Sequence, residues 1–283
     1  MEIAGGCESG YVRVSSDAMT TLGDHKSAGT GEKTLKERYQ AVLARIAAAA
    51  ERVGRNPKAV MLAVVTKNAS IDQVRELIEL GHVDFAENRV QALLHRVAQI
   101  DEFLKRHREL RGSKPINLPD RLRWHMIGHL QRNKAGRVID LVRLIHSVDS
   151  LRLAEEIQMV ATRHEQPVEV LIQVDTSGER TKFGVAPAAA GHLVEQIDTM
   201  MTLRPRGLMC MAPMTDDPET VRPVFERCRE LHEEICSDGL GGDHFNILSM
   251  GMSGDFEVAI ECGANVVRVG SAIFGPPAEG TAE

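Results

Sequence analysis

The sequence is poor in aromatic residues, with one Trp, two Tyr and seven Phe in 283 residues, and poor in cysteine, with five. The two tyrosines, Tyr11 and Tyr39, leave few places for a phenolic base. Cys7, Cys210, Cys228, Cys236 and Cys262 are odd in number and scattered through a chain long enough to bury its own core. A disulfide framework is neither signalled nor needed, and the cysteines are expected to be reduced packing residues. No run approaches the roughly 18 apolar residues of a membrane span, and the N-terminus lacks the basic segment and apolar core of a signal peptide. Those absences predict a cytoplasmic protein. Positive charge is not in excess either: the net charge of −6 gives no global attraction to phosphate backbones or anionic lipid, so nucleic-acid and membrane partners are not expected. No GxGxxG follows the first apolar run and no GxxxxGK[ST] occurs. His125 and His129 are four apart but flank a strand end, so the zinc pairing of HExxH is missing and no metal site is predicted.

What is present begins at Thr34. Residues 1–33 are rich in Gly, Ser and Thr without apolar periodicity and are expected to form a disordered tail. Thr34-Leu35-Lys36-Glu37 reads as a capping box, and Leu35, Tyr39, Val42, Ile46, Ala49 and Val53 recur at helical spacing up to Gly54.

Short apolar runs then alternate with helical patterns. The runs are 59–65, 82–86, 123–127, 144–148, 168–174, 206–211, 246–249 and 265–269, which makes eight candidate strands. Helical patterns cover roughly 71–80, 90–104, 133–141, 151–163, 188–200, 220–236 and 256–262. Strands separated by helices must pair in parallel, because each crossover returns the chain to the same end of the sheet. Eight such units in roughly 250 residues predict a single (β/α)8 TIM-type barrel over 34–275, with residues 276–283 as a C-terminal tail. An open doubly wound sheet is the alternative. Lys105–Arg121, basic and Pro-containing, is expected to be a surface insertion.

Chemistry in such a barrel sits at the C-terminal ends of the strands. The last two ends, Ser249-Met250-Gly251-Met252-Ser253-Gly254 and Arg268-Val269-Gly270-Ser271, combine glycines with hydroxyls where this architecture commonly holds phosphate, and a short helix starting near Ser271 would aim N–H groups at an anion. Taken singly, either is an ordinary turn; together they favour the phosphate reading. Lys67 ends the first strand, where loss of hydration would expose an amine able to form a Schiff base; a solvated rim lysine is the alternative. A phosphate site across the mouth from such a lysine is what pyridoxal 5'-phosphate (PLP) requires. Arg268 lies between the two as a partner for the pyridine nitrogen, or else in a salt bridge to Glu87, Asp149 or Asp175. Cys210 reads as barrel filling, and Glu87 with Asp175 as a weak candidate carboxylate pair.

Several segments carry a resemblance: Val65-Thr66-Lys67, Phe85-Ala86-Glu87-Asn88-Arg89-Val90-Gln91, Trp124-His125-Met126-Ile127-Gly128-His129-Leu130-Gln131-Arg132-Asn133-Lys134, Ser249-Met250-Gly251-Met252-Ser253, and Arg268-Val269-Gly270-Ser271-Ala272-Ile273-Phe274-Gly275. From Thr34 to Gly275 the chain resembles the PLP homeostasis proteins, single-domain relatives of the barrel half of alanine racemase. The resemblance implies that Lys67 carries PLP as a Schiff base, that Asn88 approaches the ring and that Arg268 faces its nitrogen. By the same likeness Ser253, Gly270 and Ser271 hold the phosphate, with Met250 and His125 in the surrounding shell. Ala86 and Arg89 stand where many relatives have Gly and Tyr, and Asn68-Ala69 replaces the common continuation after the lysine.

Alanine racemase adds a second domain and a tyrosine base presented across a dimer; here neither tyrosine follows the barrel. The resemblance thus implies a monomeric PLP carrier or regulator without robust turnover, binding PLP and related B6 vitamers and supplying PLP-dependent apoenzymes. A racemase-like PLP enzyme with His125 or water as base is the alternative, and a cofactor-free Schiff-base aldolase a third reading.

Overall fold

The computed structural model describes residues 33–111, 118–119, 121–165, 167–178 and 183–275. The expected tails at 1–33 and 276–283 lie, apart from Lys33, outside the described residues. The first helix, α1 (Leu35–Arg52), starts at the predicted capping box: Thr34 Oγ1 accepts from the Glu37 N–H at 3.2 Å, and Glu37 Oε2 accepts from the Thr34 N–H at 2.8 Å.

Eight strands follow: β1 (Met61–Val65), β2 (Asp84–Glu87), β3 (Arg123–Met126), β4 (Val142–Val148), β5 (Val168–Gln173), β6 (Leu203–Met209), β7 (Ile247–Ser249) and β8 (Val266–Val269). Every neighbouring pair is parallel, and β8 pairs with β1, so the sheet closes into the (β/α)8 barrel predicted from the alternating pattern. The crossovers carry α2 (Ile71–Glu79), α3 (Val90–Arg111), a 3-10 turn (Arg132–Arg137), α4 (Leu151–Arg163), α5 (Pro187–Asp198), α6 (Arg222–Ser237) and α7 (Phe256–Glu261), and α8 (Ser271–Phe274) follows β8. None of the described helices is long and apolar enough to cross a membrane.

Two expectations change. The segment expected as an insertion from Lys105 is helical as far as Arg111, because α3 outruns its apolar stripe of Leu93, Val97, Ile100 and Leu104. Beyond Leu104 the strong helix formers Lys105, Arg106, Arg108 and Glu109 face solvent, and Glu102 and Arg106 pair at 2.5 Å across one turn. Between β3 and β4 the predicted helix over 133–141 is only a 3-10 turn.

Side chains alternate across each strand, and this decides what fills the barrel. Ala63, Val65, Ala86, Leu144, Leu171, Met209, Ile247 and Val266 form the inner apolar cluster. The opposite faces join the helices in a larger outer core. Cys210, expected inside, follows inward Met209 and therefore points outward, where its thiol meets Cys228 of α6. The Cys228 hydrogen bond holds the Cys210 thiol below its usual range and, with burial, pushes Cys228 well above it.

Candidate functional site

At the C-terminal end of the barrel lies a cavity of about 470 Å³. Lys67, Asn88, Ser253, Arg268, Gly270 and Ser271 all line it. Six residues chosen from four different strand ends therefore share one space.

Lys67 follows the last residues of β1 and is exposed at the mouth, so the barrel does not strip its amine of water as expected; the solvated rim lysine is what the chain presents. It is the one lysine among the residues that line the cavity. Across from it, the loops after β7 and β8 are tied together. Ser253 Oγ accepts from the Gly270 N–H at 3.2 Å and from the Ala272 N–H at 3.3 Å, which leaves the hydroxyl hydrogen for an acceptor in the cavity. Gly270 is needed here, since a Cβ on it would lie 2.8 Å from the Val65 carbonyl oxygen.

Arg268 enters from β8 at the floor and is almost wholly buried. Its Nη1 donates to Ser249 Oγ at 2.7 Å and its Nη2 to the Cys210 carbonyl at 2.8 Å. None of the suggested salt bridges forms. Glu87 points outward to Thr66 Oγ1 at 2.5 Å and Arg96 at 3.5 Å, Asp149 pairs with His129, and Asp175 closes a turn with Ser177 and Gly178. Burial raises the Glu87 carboxyl, against the pull of Thr66 and Arg96. The same separation removes the Glu87–Asp175 carboxylate pair.

His125 and Met250 do not line the cavity. His125 lies beneath it inside the barrel, between His146 Nε2 at 3.0 Å and Asp84 Oδ1 at 3.3 Å. Met250 follows inward Ser249, so alternation turns it into the outer core, and it is Met252 of the same loop that lines the cavity. Sequence reasoning also missed the wall and rim: Ile127, Gln173, Phe183, Met211 and Asp255. The two-residue alternation along β5 and β6 was the signal available for Gln173 and Met211. Gln173 Nε2 donates to the Phe183 carbonyl at 2.8 Å, and the Phe183 ring stacks on His129 at 4.0 Å, which in turn contacts Asp149 Oδ2 at 3.2 Å.

The arrangement offers the Ser253 and Ser271 hydroxyls at one end, a buried guanidinium at the floor, apolar walls and one amine. The family model described as the alanine racemase N-terminal domain matches residues 38–277. A pyridoxal phosphate homeostasis protein of Aquifex aeolicus is 39% identical over 243 residues, covering 84% of this chain and 96% of that protein. The chain belongs to the pyridoxal phosphate homeostasis protein family. Another member, from Pseudomonas aeruginosa, is 36% identical over 86% of this chain and 95% of its own length. Within the same fold, the structure of PipY of Synechococcus elongatus with PLP bound superposes with a TM-score of 0.67 at 30% identity, covering 83% of this chain and all of that one.

Proposed function

We propose that this chain binds PLP reversibly in the cavity at the barrel mouth and serves its intracellular supply, without robust turnover. The observation that carries the reading is the convergence of Lys67, Arg268 and the Ser253–Gly270–Ser271 cradle on one space, in a chain 30% identical to PipY, whose structure holds PLP. When bound, the cofactor supplies an aldehyde that condenses with an amine, and a ring that withdraws electrons.

The residues fit those needs. Lys67 offers the amine at the end of β1, where the exposed mouth lets ligand enter and leave. Ser253 and Ser271 offer hydroxyls to the phosphate, the Gly270 N–H holds Ser253 Oγ in place, and the close approach of Gly270 to Val65 leaves no room for a side chain there. Arg268 donates but does not give up its proton, so it holds the ring nitrogen without protonating it and keeps electron withdrawal weak. Ile127, Met211 and Met252 provide apolar walls.

Among the described residues no tyrosine lines the cavity: Tyr39, on α1, is buried with its hydroxyl 3.1 Å from His82 Nδ1. Nor does His125, the base of the racemase-like alternative. A second reading, slow amino-acid chemistry, rests on His129, which lines the mouth with Asp149 behind it.

One experiment tests the first reading: the absorption spectrum of purified protein before and after borohydride, with peptide mass mapping. A pyridoxyl group fixed on Lys67 supports it. Colourless protein with nothing trapped after addition of PLP refutes it, and amino-acid turnover at about 1 per second or faster would make the chain an enzyme instead.

A further inference from the structure

Five buried polar side chains inside the barrel form a single line. It starts at Arg268 on the cavity floor, whose Nη1 donates to Ser249 Oγ at 2.7 Å. Ser249 Oγ lies 2.9 Å from His146 Nδ1, His146 Nε2 lies 3.0 Å from His125 Nδ1, and His125 Nε2 lies 3.3 Å from Asp84 Oδ1. Asp84 opens β2 and Arg123 opens β3, at the opposite end of the barrel from the cavity, where Arg123 grips the Asp84 carboxylate at 2.6 and 2.5 Å. Arg268, Ser249, His146, His125 and Asp84 are all buried.

Donor and acceptor rules give this line one direction. A guanidinium only donates, so Ser249 Oγ accepts from Arg268, and the hydroxyl's own hydrogen has His146 Nδ1 as its acceptor. Burial, reinforced by His125 and Arg268, holds His146 well below the ordinary imidazole range, so it is neutral. Its single N–H is then on Nε2 and donates to His125 Nδ1, and His125 Nε2–H donates to Asp84. The carboxylate can only accept, and ends the line. Burial alone would raise the Asp84 carboxyl, but Arg123 and His125 overcome it and hold the group far below the usual range. Reversing one link would leave two donors or two acceptors face to face in a dry interior.

We propose that Ser249, His146 and His125 are positioning residues that fix Arg268 at the cavity floor and tie it to Asp84, so that the hydrogen bond offered to the ring nitrogen of PLP is set from the far end of the barrel. This rests on the reading that PLP binds with its ring nitrogen at Arg268. A core that merely satisfied its polar groups would not pass the loss of the Ser249 hydroxyl or the His146 ring on to the hydrogen bond that Arg268 offers the ligand. The proposed device does.

Two measurements test it. On the wild-type protein without ligand, long-range proton–nitrogen correlation spectra should find both His125 and His146 carrying hydrogen on Nε2. For PLP itself, Ser249→Ala and His146→Leu should weaken binding by about five- to tenfold and shift the visible band of the bound form, with borohydride still trapping it on Lys67. Ser249→Thr keeps the hydroxyl, and His146→Gln keeps an acceptor toward Ser249 and a donor toward His125, so both should stay within about twofold of wild type. Hydrogen on Nδ1 of His146, a wild-type spectrum and affinity in Ser249→Ala, or Thr and Gln variants as impaired as Ala and Leu would each overturn the proposal. Should His146→Leu not fold, the Ser249 pair and the wild-type tautomers decide. Trapping that fails at Lys67 in the wild type overturns the binding reading itself, and the tautomers then still decide whether the line runs one way.

Discussion

The backbone of Gly128 approaches Asn88 so closely that a Cβ on Gly128 would lie 1.9 Å from the Asn88 carbonyl oxygen. These residues follow β3 and β2, both line the cavity, and the contact seats one strand-end loop against the next. Gly128→Ala must push the Asn88 backbone away, an overpacking that costs roughly 1 to 3 kcal/mol of stability. The displaced Asn88 should also weaken PLP binding. Chemical denaturation and PLP titration of this variant check both effects, and unchanged values in both would mean that the approach has no role.

Lys67 is exposed, and its substitution should separate binding from folding. Lys67→Ala is expected to abolish the borohydride-trapped pyridoxyl group while leaving stability within about 0.5 kcal/mol of wild type, as for surface positions generally. A trapped group that persists would place the linkage on another lysine.

The cradle of the β7 and β8 loops makes a prediction about which end of the ligand it senses. Ser253→Ala removes the acceptor of the Gly270 and Ala272 N–H groups as well as a donor to the anion. Retention of PLP should fall by about 1 to 2 kcal/mol, while binding of pyridoxal, which has no phosphate, should hardly change. Equal losses for both ligands would move the phosphate elsewhere.

These sites differ in how plainly the chain announces them. The eight strands were legible because each is a short apolar run set between helical patterns, and Lys67, Asn88, Ser253, Arg268, Gly270 and Ser271 because each stands at or just beyond a strand end. Alternation along a strand was enough to turn Met250 and Cys210 outward, had the inward face of β6 and β7 been assigned first from Met209 and Ser249. The line from Arg268 to Asp84 was not legible at all. His125 and His146 come from neighbouring strands, and which of their atoms meet depends on how the strands are staggered around the closed barrel, a quantity with no local signature. The extra turns of α3 were hidden for another reason: beyond Leu104 no apolar periodicity marks the helix, and only the propensity of charged helix formers sustains it.

Buried histidine gives the fold an acid limit. His82 is enclosed between Tyr39 Oη at 3.1 Å and the Asp84 carbonyl at 2.7 Å, which accepts its Nε2–H. Burial lowers its pKa from 6.5 to about 4, against the opposing pull of Asp84, while burial of the Tyr39 hydroxyl, with Asp84 nearby, pushes that group up to about 12. As pH falls below 6.5, the unfolded chain takes up a proton at His82 that the folded chain refuses until about pH 4. Folding stability is therefore lost progressively across that window, by roughly 3 kcal/mol from this residue at its lower end. His146, also held neutral by burial, adds loss of the same sign. Glu87 and Asp255, raised by burial, act oppositely, since the folded chain protonates them first as pH falls. Asp84, depressed in the folded chain, contributes stability that is lost only below the window, as pH drops under the ordinary carboxylate range. Comparing wild type with His82→Gln isolates the His82 share: denaturation midpoints between pH 7 and pH 4 should fall more steeply in the wild type, and parallel curves would show that His82 does not set the limit.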